Sequence, residues 1–335
     1  MERIKIGQIG MEHDHAGAIL MTLKKLTDVF ELVGYAVPEG EKNCHVRACE
    51  GVREMSVEEL LAVPGLQAVA VETYELDLTK YARLAIDRGL AVHMDKPGGA
   101  DLGEFEELIS EIKKKNAVFH TGYMYRYNPA VIKLKQDVAE GKLGGIYSVE
   151  AHMNILHPPA KRQWLGNFPG GMMFFLGCHL VDLVCMFQGI PEQVVPFNTV
   201  TGFNGVTAED CAFAVMKYKN GVSFVKTSAI ERGGYRRRQL VVNGEKGSVQ
   251  ILPLEASLEG AGGDIYAGVR EAYDERRSSV NYDGIYHMTD GFDRYENMMR
   301  GFASFTRRER ENPYTPDYEL AVYRTVLRAC GVKVD

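Results

Sequence analysis

Three short segments of this chain carry residue types and spacings that suit chemistry on a small molecule, and the first contains a lysine. Asp95-Lys96-Pro97 follows the apolar run Ala91–Met94, which predicts a buried strand. Ligands of a doubly wound sheet bind beyond the carboxyl ends of its strands. A lysine held there by a following proline is therefore predicted to polarise a substrate oxygen.

The second segment is the turn Gly10-Met11-Glu12-His13-Asp14-His15, between a predicted strand and a predicted helix. A dinucleotide-binding fingerprint has the pattern G-x-G-x-x-G at this place. Only its first glycine is present, since Glu12 and His15 occupy the other two positions. The helix N-terminus can still attract an anion, although the Glu12 carboxylate repels a pyrophosphate unless it points away. A capped helix start without a cofactor is the alternative interpretation.

The third segment contains His179 and Asp182, which are three residues apart on a predicted helix and so share a face. A histidine oriented by a carboxylate is typical of a general base, because the histidine pKa lies near neutrality. A buried histidine that is hydrogen-bonded to Asp182 for structural reasons is the alternative.

Metal binding is not predicted. His13 and His15 offer imidazole ligands, but the sequence places no third ligand near them. The six cysteines, at positions 44, 49, 178, 185, 211 and 330, form no C-x-x-C pair. Neither a zinc knuckle nor a disulfide framework is therefore expected, and a reduced, cytoplasmic compartment fits this cysteine usage.

Length and charge favour a soluble protein of two domains. The 335 residues are many for one hydrophobic core. A net charge of −6 disfavours nucleic acid or an anionic membrane as the main partner. No apolar run approaches the ~18 residues of a membrane span, and no signal peptide is expected. The run Arg236-Arg237-Arg238 is interpreted as a solvated strand face rather than a phosphate site.

Strand and helix patterns alternate over residues 1–122. Strands are predicted at 3–9, 30–37, 68–71, 91–94 and 117–121. Helices are predicted at 15–26, 57–63 and 78–88, and a further helix begins at the N-cap Asp101. Strands joined by helices of this length form a parallel sheet, so this part is predicted to be an α/β domain.

The regular alternation of strands and helices ends after residue 122 and does not continue over residues 123–335. Helices are predicted at 128–140, within 171–187, at 291–307 and at 318–329. Strands are predicted at 146–155, 210–219, 222–230, 239–242 and 248–252. Asn220-Gly221 between two of these strands is a strong hairpin signal. An antiparallel sheet with few crossovers predicts an α+β domain.

In order and spacing, these motifs resemble the glucose–fructose oxidoreductase, inositol dehydrogenase and rhizopine-catabolism (Gfo/Idh/MocA) family over the full length. Asp95-Lys96-Pro97 resembles the family's Glu-Lys-Pro motif, and Arg126-Tyr127-Asn128-Pro129 resembles its R-x-x-P helix start. Gly170-Gly171, Gly177-x-His179 and Asp182 resemble its glycine-rich, histidine-containing substrate segment.

The resemblance implies a Rossmann domain that binds NAD or NADP, and an α+β domain with a large, mostly antiparallel open sheet. It also implies hydride transfer between nicotinamide and a hydroxyl-bearing carbon of a sugar, polyol or derivative. Lys96 would orient and polarise the substrate oxygen, and His179 would be the general acid/base. Asp182 would bind substrate or orient His179. The open sheet is expected to form a homodimer or homotetramer.

The residues expected at the site fall into two further groups. Cofactor contacts are expected from Gly10, Met11, Glu12, His15, Glu39, Glu72, Asp95 and Lys96. Walls of the substrate pocket are expected from Arg126, Tyr127, Trp164 and Phe175. Many family members have an aspartate where this chain has Phe175, so a narrower and drier pocket is expected here.

Two other functional classes remain open. One is a lyase-like or glycoside-cleaving enzyme that uses the cofactor for transient oxidation of its substrate. The other is a ligand-binding family member without catalytic turnover. Glu12 and Phe175 favour a ligand-binding protein without turnover. An enzyme is favoured by Lys96 and by the pair of His179 and Asp182.

Overall fold

The computed structural model describes residues 2–99, 101–257, 264–273 and 284–334. The chain folds into two compact units, Met1–Met124 with Tyr295–Leu320, and Tyr125–Arg294 with Ala321–Asp335. The sequence predicts a domain boundary at residue 122, which would put residues 295–320 in the second domain. In the structure this segment packs within the first unit. Over the described ranges, no helix combines the length and apolar content needed to cross a bilayer.

The first unit contains a parallel sheet of six strands in the order β3-β2-β1-β4-β5-β6. The strands are β1 (Ile4–Ile9), β2 (Phe30–Ala36), β3 (Glu54–Met55), β4 (Ala68–Val71), β5 (Ala91–Met94) and β6 (Phe119–Thr121). The chain moves outward from β1 to β3, then returns to the other side of β1 with β4. The strand order therefore reverses between β1 and β4, and the crevice beyond their carboxyl ends is where such sheets bind ligands.

The apolar runs of this sheet explain its position in the unit. Every residue of β4 and β5 is buried, as expected for central parallel strands covered on both faces. Because the side chains cannot reach solvent, the polar groups that follow these strands are the first that a ligand can contact.

Nine helices lie in the described residues. They are α1 (Ala16–Lys25), α2 (Val57–Leu61), α3 (Leu78–Asp87), α4 (Leu102–Lys115), α5 (Pro129–Ala139), α6 (Pro159–Trp164), α7 (Cys178–Gln188), α8 (Glu296–Thr306) and α9 (Pro316–Ala329). A π-helical turn, Met173–Gly177, leads directly into α7. The capping signal predicted at Asp101 is present, because its side chain accepts the Glu104 N–H. Ser56 and Glu59 form a reciprocal capping box at α2 that the sequence analysis did not identify.

The second unit contains a mixed sheet of eight strands in the order β16-β15-β12-β11-β7-β10-β9-β8. Its strands are β7 (Ile146–Asn154), β8 (Gln193–Pro196), β9 (Cys211–Tyr218), β10 (Gly221–Ser228), β11 (Gln239–Gly244), β12 (Ser248–Ile251), β15 (Gly268–Ala272) and β16 (Ile285–Met288). Two further strands, β13 (Ala256–Ser257) and β14 (Ile265–Tyr266), form a separate ribbon. All pairs in the large sheet are antiparallel except β7 with β10. The predicted combination of an α/β sheet with an α+β sheet is confirmed.

One predicted helix begins later than its apolar pattern suggested. The pattern indicated 291–307, but α8 begins at Glu296. The reason is that Phe292 forms an antiparallel bridge with Ile265, exchanging two backbone hydrogen bonds of 3.0 and 2.8 Å. Strand pairing thus takes the residues that local periodicity had assigned to the first turn of the helix.

Candidate functional site

The turn between β1 and α1 requires a glycine at its first position. Gly10 has a φ of +96°, and a Cβ added there would lie 2.3 Å from the backbone nitrogen of Thr73. The turn therefore passes against the chain that follows β4 so closely that no side chain fits. This is the tight approach for which the first glycine of a dinucleotide fingerprint is used.

Glu12, which replaces the second glycine, is bonded to the loop that follows β2. Its Oε2 accepts the backbone N–H of Lys42 at 3.0 Å, and the carbonyl of Met11 accepts the N–H of Cys44 at 3.0 Å. The carboxylate thus has a partner within the chain. That partner is a backbone N–H and not a lysine ammonium.

The loop after β2 contains two carboxylates, and the one that is hydrogen-bonded to the chain is not the one expected from the sequence. Glu39, one of the expected cofactor contacts, is exposed. Glu41 is the residue that is anchored, because its Oε1 accepts the N–H of Tyr74 at 3.0 Å. Burial, with the nearby charges of Glu12 and Asp77, raises the pKa of Glu41 to about 7. No periodicity marks this loop, so the sequence offered no signal for Glu41.

Asp95 is the centre of a buried cluster at the carboxyl edge of the sheet. Its Oδ2 lies 2.9 Å from His15 Nδ1 and 3.2 Å from His13 Nδ1. The residue directly follows β5, whereas both histidines belong to the turn after β1. The sequence places no third metal ligand near the two histidines, but the fold brings Asp95 to them.

Further polar side chains extend this cluster across the sheet edge. Glu72, the residue after β4, has its Oε2 3.9 Å from His13 Nδ1 and its Oε1 3.5 Å from His93 Nε2. His93 Nδ1 lies 2.8 Å from His120 Nδ1. Glu75 Oε1 lies 3.9 Å from His13 Nε2. Except for His15, which is half-buried, these side chains are buried.

The electrostatics of the cluster follow from burial and from the Asp95 charge. Burial alone would raise the Asp95 pKa, but the neighbouring His13 and His15 hold it well below its usual value. Burial, with the Asp95 charge beside it, raises the pKa of Glu72 well above its usual value. Burial lowers the pKa of both His15 and His93 to about 4. The pKa of His13 is raised, because the Asp95 charge and hydrogen bond outweigh the effect of burial.

Lys96 lies at the end of β5, as predicted, and only 2% of its surface is exposed. Its backbone N–H donates to Asp95 Oδ1 at 2.6 Å, so the carboxylate of the cluster also fixes the backbone that carries the lysine.

His179 and Asp182 lie in α7, as predicted, but the structure gives Asp182 a different partner. Arg126 donates to the Asp182 carboxylate from Nε at 3.0 Å and from Nη2 at 2.6 Å. The ring of His179 packs edge-on against Tyr125, with centroids 5.2 Å apart. Arg126 was expected in the substrate pocket, yet its guanidinium forms a buried ion pair with Asp182.

A polar network that the sequence analysis missed adjoins Tyr125. The Tyr125 hydroxyl donates to Glu255 at 2.6 Å, and Arg238 Nη1 lies 2.7 Å from the same Glu255 oxygen. Arg294 Nε donates to the other oxygen at 2.7 Å. The interpretation of the Arg236–Arg238 run as a solvated strand face is wrong for Arg238, which is buried because Glu255 neutralises it.

Trp164 and Phe175, two expected pocket walls, are brought together in an aromatic group. Their ring centroids are 5.3 Å apart and the rings are perpendicular. The ammonium of Lys161 lies 3.6 Å from the Trp164 ring centroid and 4.7 Å from that of Phe175. Tyr127, the remaining expected wall, is buried at the end of a short 3₁₀ turn that precedes α5.

A groove of about 750 Å³ also opens in the second unit. It is lined by Leu156, His157, Pro158, Pro159, Arg162, Phe203, Asn204, Ile230 and Arg232. Trp164 and Phe175 are not among these described lining residues, although Trp164 follows Arg162 on α6. Arg162 is held in place by Asp210 at 2.9 Å.

Comparison with known families gives a match over the C-terminal part of the chain. Residues 131–250 match the family model of the GFO/IDH/MocA C-terminal domain. This part of the chain is thus similar to the C-terminal domain of Gfo/Idh/MocA proteins. The resemblance inferred from the sequence motifs is thereby confirmed, and oxidoreductases of this family use nicotinamide cofactors.

Two characterised or named relatives show how far the similarity extends. The chain is 28% identical over 192 residues to the uncharacterized oxidoreductase YhhX of Escherichia coli (strain K12), covering 57% of this chain and 54% of that protein. It is 26% identical over 214 residues to the trans-1,2-dihydrobenzene-1,2-diol dehydrogenase of Bos taurus, covering 61% and 62%. The matches therefore span somewhat more than half the length of these relatives.

The fold is similar along the whole chain to that of solved oxidoreductases. The aldose-aldose oxidoreductase of Caulobacter crescentus, solved in complex with glycerol, superposes with a TM-score of 0.78 at 17% identity. The superposition covers 98% of both chains. At this identity the likeness concerns the fold.

Proposed function

We propose that this protein is an NAD(P)-dependent oxidoreductase that transfers a hydride between nicotinamide and a hydroxyl-bearing carbon of a sugar, polyol or derivative. The observation that carries the proposal is Lys96, buried at the carboxyl end of β5 in the sheet whose strand order reverses between β1 and β4. An ammonium at this edge would bind the oxygen of an alcohol or carbonyl.

The turn after β1 supports the cofactor part of the proposal. Gly10 keeps the tight turn of the fingerprint's first glycine, and Glu12 is hydrogen-bonded to the Lys42 N–H. Gly10, Met11, Glu12 and His15 would hold the phosphates. Glu39 would reach the adenosine ribose, and Glu72 and Asp95 would lie along the same sheet edge. When bound, nicotinamide supplies the hydride acceptor or donor.

Residues of the chain would then bind the substrate oxygen and transfer its proton. Lys96 orients and polarises that oxygen, and His179 takes or returns its proton. Such a proton acceptor typically contributes ~10²–10⁴-fold to the rate. Asp182, held by two hydrogen-bonding nitrogens of Arg126, keeps this part of α7 in one geometry.

The partner expected for the open sheet is a second copy of the chain. Exposed apolar side chains occur on its strands, among them Tyr147, Val195, Val222 and Tyr286. We propose a homodimer or homotetramer through this sheet, and light scattering coupled to size-exclusion chromatography measures its mass directly.

The experiment that tests the function has two steps. First, thermal unfolding is measured with NAD⁺, NADH, NADP⁺ and NADPH, because a ligand that binds the folded state raises Tm by mass action. Second, a panel of aldoses and polyols is screened for nicotinamide absorbance change with the dinucleotide that binds. Wild type is compared with Lys96→Met and with Lys114→Met, a control at a lysine whose side chain is 74% exposed.

We expect at least one dinucleotide to raise Tm, and Lys96→Met to lower kcat strongly while Lys114→Met leaves it unchanged. Absence of a Tm increase with all four dinucleotides at millimolar concentration would overturn the proposal. Equal kcat values for Lys96→Met and Lys114→Met would remove Lys96 from the reaction.

A ligand-binding protein without turnover is the second candidate function. It is favoured by the ion pair of Asp182 with Arg126 and by the 1% exposure of His179. A Tm increase with a dinucleotide, without turnover of any substrate in the panel, is the outcome that this candidate predicts.

A further inference from the structure

We infer that His13, His15 and Asp95 bind one divalent transition-metal ion, most favourably Zn²⁺, with Glu72 as the fourth ligand. This inference concerns the cluster at the carboxyl edge of the first sheet and does not depend on the proposed hydride transfer. It is a metal site in a turn where the dinucleotide fingerprint would have glycines.

The first argument is the convergence of three ligand atoms. One ring nitrogen of His13, one of His15 and one Asp95 oxygen all lie within 4.8 Å of one another. Ligands about 2.0–2.1 Å from a tetrahedral zinc ion are about 3.3 Å apart. Asp95 Oδ2 lies 2.9 Å from His15 Nδ1 and 3.2 Å from His13 Nδ1, close to this ligand–ligand distance.

The second argument is the buried carboxyl group of Glu72. The side chain is fully buried, and neither oxygen receives a hydrogen bond from the described part of the chain. Its Oε2 faces His13 Nδ1 at 3.9 Å. The Asp95 carboxylate is the nearest hydrogen-bonding neighbour of Glu72, and a buried carboxyl group that accepts no N–H or O–H is costly. A cation bound between Glu72 and His13 would remove that cost.

The outer neighbours of the cluster match those of a metal-bound imidazole. A histidine that binds a metal through one ring nitrogen commonly donates its other N–H to a carboxylate. His13 Nδ1 lies 3.2 Å from Asp95 and accepts the His15 backbone N–H at 3.2 Å, a hydrogen bond that a metal ion would replace. His13 Nε2 lies 3.9 Å from Glu75 Oε1. A modest closure of that gap gives the carboxylate–histidine–metal arrangement.

Local charge favours a dication. The buried carboxyl groups of Glu72, Glu75 and Asp95 surround His13. The ammonium of Lys96 acts on the same histidine from nearby. Three buried carboxyl groups beside one ammonium leave the cluster able to attract a cation.

The ligand types select the metal. Two imidazole nitrogens suit Zn²⁺ and its neighbours in the transition series, whereas Mg²⁺ and Ca²⁺ prefer oxygen ligands. Because the ligands come from the turn after β1 and from the residues after β4 and β5, one bound ion would tie three chain segments together. Binding should therefore stabilise the fold.

The test uses the full chain, stripped of metal with a chelator and free of any affinity tag. Zinc is titrated against a competing chromophoric chelator, and bound metal is counted by elemental mass spectrometry. We expect one equivalent of Zn²⁺, a higher Tm with zinc, and no effect of Mg²⁺ at the same concentration. Co²⁺ substitution should give visible absorption bands of a four-coordinate site with nitrogen and oxygen ligands.

Two variants and one control locate the ion. His15→Gln and Asp95→Asn should each weaken zinc binding by at least about 10-fold. His287→Gln, at an exposed histidine on β16, should bind zinc like wild type. Circular dichroism of the metal-free proteins shows whether each variant is folded. If a variant does not fold, the inference is tested by the number of zinc equivalents bound by the wild type and by the Co²⁺ spectrum of the wild type.

Less than one equivalent of tightly bound zinc in the wild type would overturn the inference. So would equal zinc affinity in wild type and a folded His15→Gln variant, or binding of Mg²⁺ as tight as that of Zn²⁺. These measurements contain no dinucleotide, so their failure leaves the proposed function standing, and failure of the dinucleotide titration leaves the metal site standing.

Discussion

Arg126 and Asp182 form a buried ion pair in which two guanidinium nitrogens donate to one carboxylate, at 3.0 and 2.6 Å. Both side chains are 1% exposed. Each residue was assigned to the site from sequence, one to the pocket and the other to catalysis. Their mutual bond means that replacing either one leaves a buried charge on the other.

The first prediction therefore concerns stability. We expect Arg126→Met to lower the free energy of unfolding by about 3–5 kcal/mol, because an unpaired carboxylate is left buried. Adding Asp182→Leu should recover most of that loss. Denaturant unfolding of the single and double variants gives both values. If the double variant is no more stable than Arg126→Met, the pair is not the reason for the loss.

The second prediction is a pH dependence that arises from Glu255. Burial alone would raise its pKa, but the charges of Arg294 and Arg238 hold it below the usual value. A carboxylate with a lower pKa in the folded chain stabilises the fold above its unfolded pKa, and this contribution is lost as pH falls through the folded pKa. Stability should therefore decrease as pH falls below about 4.5.

Variants assign this pH dependence to the residue. Glu255→Gln should be less stable near neutral pH, and its free energy of unfolding should change less with pH in the acid range. Glu58→Gln, at an exposed glutamate of α2, should follow the wild type. Parallel curves for wild type and Glu255→Gln would show that other carboxylates dominate.

The third prediction separates the charge of Glu12 from its hydrogen bond. Glu12→Gln keeps an oxygen that can accept the Lys42 N–H, whereas Glu12→Ala removes the acceptor. A carboxylate near a pyrophosphate costs about 1–4 kcal/mol at surface-like dielectric. We expect Glu12→Gln to equal or exceed the wild-type dinucleotide affinity in calorimetry, and Glu12→Ala to bind less tightly. A large loss in Glu12→Gln would show that the charge itself binds the ligand.

The fourth prediction concerns Phe175, which packs against Trp164 and lies under the Lys161 ammonium. Phe175→Leu should cost about 0.5–1.5 kcal/mol beyond the lost area, since the aromatic pair is removed. Phe175→Asp should cost more, because it buries a carboxylate, and Lys161→Met added to it should increase the loss further. If Lys161→Met has no additional effect, the new carboxylate does not reach the ammonium.

The sequence predicted the elements well where local patterns and tertiary packing agree. The buried runs of β4 and β5 and the helix with Asp101 as its N-cap are present as expected, because each is specified by adjacent residues. The placement of Lys96 at a strand end followed from the same local pattern. The carboxyl ends of parallel strands lie at the same edge of a sheet, where ligands bind. The position of Lys96 could therefore be predicted without knowing which distant residues it contacts.

The contacts of the site could not be predicted, since they join residues that are far apart in sequence. Asp95 meets His15 across 80 residues, and Tyr125 meets Glu255 across 130. No periodicity encodes such pairs. Arg238 shows the same limit, because three successive arginines predict a solvated face unless a buried carboxylate arrives from elsewhere in the chain.

The membership of residues 295–320 in the first unit has a consequence for how the protein is made. Asp28 and Arg300 form an ion pair across 272 residues, and the Phe302 ring stacks on His120 at 5.7 Å. A ribosome that has released the whole six-stranded sheet has therefore not yet supplied the helix that covers this part of it. The surface around His120 therefore stays uncovered until residues 125–294 have been synthesised and Phe302 has followed them.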